Sequence, residues 1–502
     1  MKKVILKFIV IVSCCTFSIN KAQCKTNSVA ELKEDAAFIY KTYITNSPRP
    51  YLYCDSAELK RNYDIFLSQL THPMSRWEFI PYAQEFISKA NDVHSRIFAE
   101  GEMGLRAFFI KVPYFTIRVK SNGQMFVNQI LNPKSKLKQG YEIRKINKLS
   151  VDSLEKLAAK YYSNESQTIK YVQLENYFNI DSWLIFGIKK SCTVEYIDST
   201  GKLQTETLSG MNVFKYLFNR DQQTSNEIKP SMAYTGKLYG NQALPIFWAG
   251  INAKKVGMNK EPISSTIASY WEIPQSKTGI FYIKSFEKPG PNMRKFCDSM
   301  FMHIKNNKIE NLVIDLRENL GGDSKFIPFF LQYFYSGTFK FSSNYESYSN
   351  KEYVEHFRYK KDFVMANYFE KNANQIIKAD TGNINTSKYL SFFVSDSNKK
   401  VLLKKIIILS NYRAVSLAPK FAESFRYNIP NVITIGEESS DLVCAKGMPM
   451  GFLLPNTKLM LKVSASYMES PYNNCNKRGF VPDILVNEDD IEKELDSILS
   501  KN

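Results

Sequence analysis

The chain has 502 residues, of which 44% are hydrophobic and 14% aromatic, and it carries a formal net charge of +18 at pH 7. This composition excludes an intrinsically disordered chain and provides for more than one buried core. The lysines and arginines are scattered and nucleic-acid-binding motifs are absent, so the charge indicates a solvated basic surface and no nucleic-acid partner.

The first 23 residues predict a secretory signal peptide. Lysines surround an apolar run that is too short to span a bilayer, and small and polar residues follow it. Residues 22–23 provide a conventional cleavage site, whereas the Ile-Val-Ser-Cys run ending at Cys14 resembles a lipobox, in which Cys14 would be acylated. Both alternatives predict an exported protein, in the periplasm or at the cell surface. Only the lipid on Cys14 would attach it to a membrane, as an outer-membrane lipoprotein.

Residues 27–112 predict an N-terminal helical bundle. Apolar residues recur at helical spacing in three segments between residues 31 and 90, and the third segment opens with a capping box, Ser75-Arg-Trp-Glu78. The helical pattern ends at the polar stretch NDVHSRIF, residues 91–98, which contains His94.

Residues 113–205 change to short β-rich segments. A strand pair that leads into a helix, residues 140–157, resembles a PDZ-like module, a class of domain that typically binds a peptide at a sheet edge. A spacer domain without that function is the alternative. Residues 206–275 have no sustained period and predict a linker or irregular insertion.

Residues 276–490 predict an α/β core. Buried apolar strands alternate with amphipathic helices from residue 278 onward, which implies parallel strands with helices on their faces. A Tyr- and Lys-rich stretch, residues 337–400, interrupts this pattern and is predicted to be an insertion that caps the core, with one helix near 352–375. Residues 491–502 are predicted to be a C-terminal tail.

The eight cysteines do not form a metal-binding pattern. No CxxC pair occurs, so neither a zinc site nor another cofactor is predicted. Cys444 and Cys475 would be able to pair in an oxidising compartment, although their spacing alone does not establish the bond.

Two predicted strand ends carry unusual residues. The strand NLVID continues into charged residues and ends at Gly321-Gly322, and the strand KKIIILSN leads to Ser416 at the start of an amphipathic helix. Ligands bind at the carboxyl ends of parallel strands. A serine at a helix start is usually an N-cap, but glycines beside it would let the backbone approach a substrate carbonyl. The N–H groups of Gly321, Gly322 and Leu417 are therefore predicted to form an oxyanion hole.

These segments resemble the C-terminal processing (tail-specific) serine peptidases, in their tricorn-like or Bacteroidetes-type branch. Similar motifs occur in the family's order in NDVHSRIF, VIDLRENLGG, NYRAVSLAPKFAESF, NVITIGEES, GFLLPNTKLML and GFVPDILV. The resemblance covers residues 31–490. It implies a crotonase-like core of parallel-rich sheets with flanking helices, a polypeptide substrate, and Ser416 as the nucleophile.

The resemblance also bears on the catalytic base. One branch of the family uses a lysine shortly after the Gly-Glu strand, but this sequence has Asp441 there and its nearest lysine is Lys446. The other branch uses a histidine from the N-terminal region, which His94 matches. An imidazole titrates near neutrality and is able to accept the hydroxyl proton at working pH, so His94 is the predicted base.

The residue that would orient His94 stays open among three candidates. Family members of the tricorn-like type carry a glutamate just before the closing strand, where this sequence has Asn476. Glu437 is the predicted acid, with Glu438 and Asn476 as alternatives, since an amide also orients a histidine by hydrogen bonding.

Two functions compete on these observations. The first is an exported serine endopeptidase that cleaves extended polypeptides. The second is a non-catalytic periplasmic or surface binding protein that retains the fold and the cleft. The absent lysine and the open position of the acid favour the binding protein, whereas the joint presence of Ser416, His94 and the paired glycines favours the enzyme.

Overall fold

The computed structural model describes residues 26–98, 110–132, 134–212, 254–255, 268–286, 290–348, 377–379, 382–387, 390–394, 398–472, 475 and 477–500. Four sequence predictions lie outside these residues: the signal peptide, the acylated Cys14, the insertion helix at 352–375, and the role of Asn476. Within the described residues, no helix has the length and apolar character needed to cross a membrane.

Three helices follow one another near the N-terminus: α1 (Val29–Asn46), α2 (Ser56–Gln69) and α3 (Arg76–Ser88). Ser28 and Ser75 begin α1 and α3 with capping boxes, in which the serine and a glutamate three residues later satisfy each other's backbone N–H groups. The short strands β1 (Thr26–Asn27) and β2 (Met74–Ser75) pair with each other, and β3 (Arg96–Phe98) follows α3. The predicted helices between residues 31 and 90 are therefore present.

Residues 110–132 and 134–212 form what we call the middle module. Its strands and helices are β4 (Lys111–Val112), β5 (Phe115–Val119), β6 (Met125–Ile130), β7 (Glu142–Ile146), β8 (Leu149–Ser150), α4 (Val151–Tyr161), α5 (Ile169–Leu184), β9 (Ser191–Ile197), β10 (Leu203–Ser209) and β11 (Met211–Asn212). The main sheet is antiparallel in the order β10-β9-β7-β6-β5, and α4 and α5 bury their apolar faces against it. The linker is predicted to begin at residue 206, but strand β10 continues to Ser209, so this boundary lies too early in the chain.

The remaining elements belong to the C-terminal half of the chain. The strands are β12 (Lys254–Lys255), β13 (Ala268–Ile273), β14 (Thr278–Ile283), β15 (Asn311–Asp315), β16 (Gly337–Ser342), β17 (Asn344–Tyr348), β18 (Ile377–Ala379), β19 (Gly382–Ser387), β20 (Leu390–Val394), β21 (Lys405–Ser410), β22 (Val432–Gly436), β23 (Ala445–Leu453), β24 (Met460–Glu469) and β25 (Ile484–Leu485). The helices are α6 (Pro291–Asn306), α7 (Phe326–Leu331), α8 (Leu417–Asn428) and α9 (Ile491–Ser500).

The core sheet has the order β12-β13-β14-β15-β21-β22-β25. Its strands from β14 to β25 are parallel, as the alternation of strands and helices predicts. One face packs against α6, α7 and α8 in an aromatic-rich cluster, and the other packs against α9. The carboxyl ends of β15 and β21 therefore meet at one edge of the sheet, beside the start of α8.

Two predicted boundaries of this core are wrong. The range predicted as a linker contains strand β13. This strand has alternating buried residues and pairs with β14, so it belongs to the core sheet. The predicted C-terminal tail is helix α9, whose Ile491, Leu495 and Leu499 are buried at helical spacing. That apolar pattern extends the core beyond residue 490.

A second large sheet joins the two ends of the chain. Strands β23 and β24 form the predicted hairpin, and β24 also pairs with β17 and with the N-terminal strand β3. The hairpin packs its apolar face on α1, α2 and α3 in one shared hydrophobic cluster. Cys444, at the start of this hairpin, is disulfide-bonded to Cys475.

Candidate active site

Ser416 lies between the end of β21 and the first residue of α8. Its backbone has φ of +58° and ψ of −111°, and its side chain makes no capping hydrogen bond. The N-cap serines Ser28 and Ser75 instead have φ of −64° and −69°, and their hydroxyls accept N–H groups of the first turn. Positive φ is costly for a residue with a Cβ and persists only where the surrounding contacts enforce it. Ser416 is therefore not an ordinary helix cap, and its half-buried hydroxyl is available for chemistry.

Gly321 lies directly against this serine. A Cβ atom added to Gly321 would be 2.6 Å from Ser416 Cβ, 3.0 Å from Ser416 Oγ and 2.9 Å from the Leu417 nitrogen. Gly321 also has φ of +88°. Only glycine combines this backbone conformation with this approach, which explains the first glycine of the pair.

The second glycine makes a different contact. A Cβ on Gly322 would lie 2.0 Å from the carbonyl oxygen of Phe286, with which Gly322 forms an isolated parallel bridge. The Phe286 N–H donates to the Gly321 carbonyl at 2.9 Å. This pairing continues the core sheet past its regular strands and holds the two glycines beside Ser416.

The predicted oxyanion donors differ in their availability. The Gly321 N–H donates to Asn319 Oδ1 at 2.8 Å, so it is occupied within the protein and the prediction for this group is not supported by the geometry. In the described part of the chain, the N–H groups of Gly322 and Leu417 donate to no protein acceptor. The Leu417 N–H is in the first turn of α8, where the helix dipole favours a developing negative charge.

Asp441 fixes the backbone of the serine. Its Oδ2 accepts the Ser416 N–H at 2.5 Å, and its side chain is fully buried. Lys420, one turn along α8, donates to the Ser416 carbonyl at 3.1 Å and to the Leu442 carbonyl at 3.4 Å. Asp441 stands in the sequence where the lysine-dependent branch of the family is expected to carry its base. Its carboxylate binds the backbone of Ser416 instead of acting on the hydroxyl.

Lys446 lies on the side of the site that carries Asp92. It is buried on β23, donates to Tyr43 Oη at 2.9 Å, and lies 4.0 Å from Asp92. Burial lowers the pKa of Lys446, and the carboxylates of Asp92 and Glu165 partly offset this effect. Lys446 makes no hydrogen bond to Ser416 among the contacts of the described residues.

His94 sits in a turn that Asp92 organises. Asp92 Oδ1 accepts the His94 N–H at 3.1 Å and the Ser464 hydroxyl at 2.8 Å, while its Oδ2 accepts the Ser95 hydroxyl at 2.8 Å. The His94 ring is half-buried, and its Nδ1 is buried without a hydrogen-bond partner among the described residues. The ring makes no direct hydrogen bond to Ser416 in this conformation.

The geometry does not bring the predicted acid to this histidine. Glu437 Oε1 accepts the Ser121 hydroxyl at 2.7 Å, and the described contacts of Glu437 do not include His94. Glu438 instead binds Arg478 at 2.5 Å and the Gly479 N–H at 3.0 Å. Both glutamates follow β22 and line a cavity of about 1180 Å³ between the middle module and the core. They reach this cavity because β22 ends on the side of the core that the module covers.

Glu165 is a site residue that sequence patterns did not reveal. It comes from the loop between α4 and α5, lines the same cavity, and forms a hydrogen bond with the Val93 backbone beside His94. Burial raises the pKa of Glu165 well above its ordinary value, and the neighbouring Asp441 and Asp92 raise it further. The Asp-x-His spacing would have been a signal for Asp92, but no local pattern indicates Glu165.

A buried charge network joins the middle module to the loop before Ser416. Arg118 on β5 binds Glu318 at 2.5–2.6 Å and Glu488 at 3.0 Å. Asn411, directly after β21, donates to the same two carboxylates at 3.1 Å and 2.7 Å. The module therefore contacts the strand end that carries Ser416 through charge-assisted hydrogen bonds.

The described residues contain no group of three or more histidine, cysteine, aspartate or glutamate side chains that would hold a metal ion. The prediction that no metal or cofactor is needed stays a prediction.

The fold of this chain is similar to that of solved structures, and part of its sequence matches a family model. Residues 277–486 match the model of Peptidase family S41. The solved structures to which the chain is similar include mature CPAF complexed with lactacystin, at 13% identity and a TM-score of 0.63 over 94% of this chain and 97% of that chain. A second structure, of mature CPAF, has 13% identity and a TM-score of 0.61 over 94% of this chain and 96% of that chain. No match was found among curated proteins. The family match confirms the resemblance to C-terminal processing serine peptidases.

Proposed function

We propose that this serine-type peptidase of family S41 hydrolyses peptide bonds in extended polypeptides through an acyl-enzyme on Ser416. The observation that carries the proposal is the backbone of Ser416, held at positive φ without a capping bond and packed against Gly321. A nucleophile needs an exposed hydroxyl close to N–H donors that bind the oxyanion. Gly322 and Leu417 would supply those donors.

His94 is the proposed base. It would accept the Ser416 hydroxyl proton as Oγ attacks the substrate carbonyl, and would then give that proton to the leaving amine as the C–N bond breaks. Water would then attack the resulting ester and give a proton to His94, which would pass it to Ser416 Oγ as the ester C–O bond breaks. The turn built on Asp92 supports this role, because it fixes the backbone at His94. Catalytic hydrogen bonds are often absent in a free enzyme and form with substrate.

We further propose a crotonase-like core and a PDZ-like middle module. The parallel strands from β14 to β25 with helices on both faces support the first assignment. An antiparallel sheet covered by α4 and α5, with β10 at one edge, supports the second. A peptide added at that edge would be bound through main-chain hydrogen bonds.

Export is also part of the proposal. The Cys444–Cys475 disulfide supports an oxidising compartment, in which such bonds persist. Secretion of the chain with its own N-terminus, followed by mass measurement of the mature protein, tests this point. A mature N-terminus at Cys14 with an added lipid mass means a lipoprotein, and one after residue 23 means conventional cleavage.

Hydrolysis of casein by the mature protein tests the peptidase. We expect wild type to cleave, and Ser416→Ala and His94→Ala to fall to background. Ser28→Ala and His72→Ala are matched controls, since both residues are exposed and distant in sequence from the site, and they should retain full activity. Loss with Ser416→Ala alone would mean a different base. No cleavage by wild type from about pH 6 to about pH 9 would contradict the proposal and favour a binding protein.

A further inference from the structure

The loop between α4 and α5 joins the two halves of the proposed active site. The Asn164 N–H donates to Asn91 Oδ1 at 3.1 Å, on the turn that carries His94. Ser166 Oγ donates to the Ser440 carbonyl at 2.5 Å, next to the aspartate that binds the Ser416 backbone. Glu165 lies between these two contacts. A single short loop of the middle module is thus attached to both the histidine side and the serine side.

Glu165 and Asp441 interact electrostatically inside this arrangement, because the residues next to them, Ser166 and Ser440, are hydrogen-bonded to each other. Glu165 also forms a hydrogen bond with the Val93 backbone. Glu165 Oε1 and Asp441 Oδ1 are both buried, and neither has a hydrogen-bond partner in the part of the chain that the structure describes. Two buried carboxylates with unpaired oxygens are unfavourable, whereas one shared proton satisfies both groups.

The surrounding charged and titratable groups do not remove the cost of burying these two carboxylates together. Asp92 adds a further negative charge on the histidine side. The buried Lys446 interacts with both Asp92 and Glu165, but its Nζ is hydrogen-bonded to Tyr43. Tyr53 also lies within electrostatic range of Glu165, Asp92 and Asp441, and burial raises its pKa, so it stays neutral. Lys420 is a second buried cation beside Ser416, but its Nζ donates to the carbonyls of Ser416 and Leu442.

We propose that Glu165 is a positioning residue of the peptidase, which donates a proton to Asp441 and thereby holds the His94 turn and the Ser416 loop in register. This inference rests on the proposed function. The neutral carboxyl of Glu165 keeps Asp441 in place as the acceptor of the Ser416 N–H. Removal of the shared proton would set two negative charges face to face, displace Asp441, and release the backbone of Ser416.

The pH dependence of activity has a definite sign on this basis. Burial and the Asp441 and Asp92 carboxylates raise the pKa of Glu165, so its proton is retained above the pH at which an ordinary glutamate ionises and is lost only at higher pH. Activity should therefore fall on the alkaline side as Glu165 ionises. Glutamine has an N–H donor at the same place at every pH and an oxygen for the Val93 N–H, so Glu165→Gln should abolish this alkaline fall.

Three variants of the full mature chain test the proposal: Glu165→Ala, Glu165→Gln and the control Glu155→Gln. Glu155 is a glutamate on α4 of the same module that binds Tyr171 and Lys170. We expect Glu165→Ala to lower kcat about 10- to 100-fold with little change in KM, since a small misplacement of reacting groups costs on this order. Glu165→Gln should retain most of kcat without the alkaline fall, and Glu155→Gln should match wild type. Identical pH profiles for Glu165→Gln and wild type would overturn the proposal.

A second readout separates this inference from the proposed function. Infrared difference spectra between wild type and Glu165→Gln at neutral pH should contain the carbonyl band of a protonated carboxyl in the wild type only. If wild type cleaves no polypeptide, the peptidase proposal fails with or without this band. If wild type cleaves and the band is absent, Glu165 is ionised and the shared proton is refuted.

Discussion

Gly321→Ala provides a quantitative test of how the core sheet positions the nucleophile. The new Cβ would lie 2.6 Å from Ser416 Cβ, whereas ordinary van der Waals contact begins at 3.4 Å, so the two backbones must separate by 0.8 Å. Misplacement of a reacting group by about 1 Å costs on the order of 100-fold in rate. We therefore expect kcat/KM to fall roughly 100-fold. The positive φ of residue 321 adds about 1–2 kcal/mol of destabilisation.

Gly201→Ala is the matched control for backbone strain. Gly201 has φ of +79°, close to the +88° of Gly321, but an added Cβ there has no atom within 4 Å. Both variants should lose the free energy of unfolding that positive φ costs, and Gly321→Ala should lose more because its Cβ clashes with Ser416. Only Gly321→Ala should lose casein hydrolysis. Retention of more than half of the activity by a folded Gly321→Ala protein would refute the assignment of Ser416 as the nucleophile held by this contact.

Three further predictions concern stability. Replacement of Cys444 and Cys475 by serine opens a loop with a sequence separation of 31 residues and should cost about 3.7 kcal/mol by the loop-entropy relation, measured by urea unfolding of oxidised and variant proteins. Phe421→Ala removes a fully buried ring that stacks on Phe425 at 4.3 Å and should cost about 3–5 kcal/mol in the same assay. Because the pKa of Glu165 is raised, the native state keeps a proton that the unfolded chain has lost, so the free energy of unfolding should decline as pH rises above the ordinary glutamate pKa. Glu165→Gln should flatten that decline between about pH 5 and about pH 7.

Local sequence patterns were sufficient for most of the core. Continuous apolar runs such as residues 406–409 predicted buried parallel strands, and the position of Ser416 after one of them predicted its place at a helix start. Short-range patterns carry this information because strand burial and helix periodicity are set by neighbouring residues. The α9 helix also had such a pattern, in Ile491, Leu495 and Leu499, and was nevertheless predicted as a tail.

The charged groups around the site were less accessible to sequence reasoning. Glu165 is about 250 residues from Ser416 along the chain, and it approaches the site only because the middle module packs on the core. Glu437 was predicted to contact His94 from its place after β22, but it binds Ser121 of that module instead. Tertiary packing determines these contacts of Glu165 and Glu437, and no residue spacing encodes them. The contact of Asn319 with the Gly321 N–H is different, because it is a local turn in which the asparagine side chain accepts from the backbone two residues later.

The cluster shared by α1, α2, α3 and the β23–β24 hairpin also affects the order in which the chain folds. Leu32, Phe79 and Leu461 are fully buried in one cluster, although more than 370 residues separate the first two from the third. Helices made early in synthesis therefore keep an exposed apolar face until the hairpin has emerged from the ribosome. Contacts with such large sequence separation form slowly, because the entropy of closing the intervening chain is lost first. A nascent chain in this state is a natural substrate for holding chaperones.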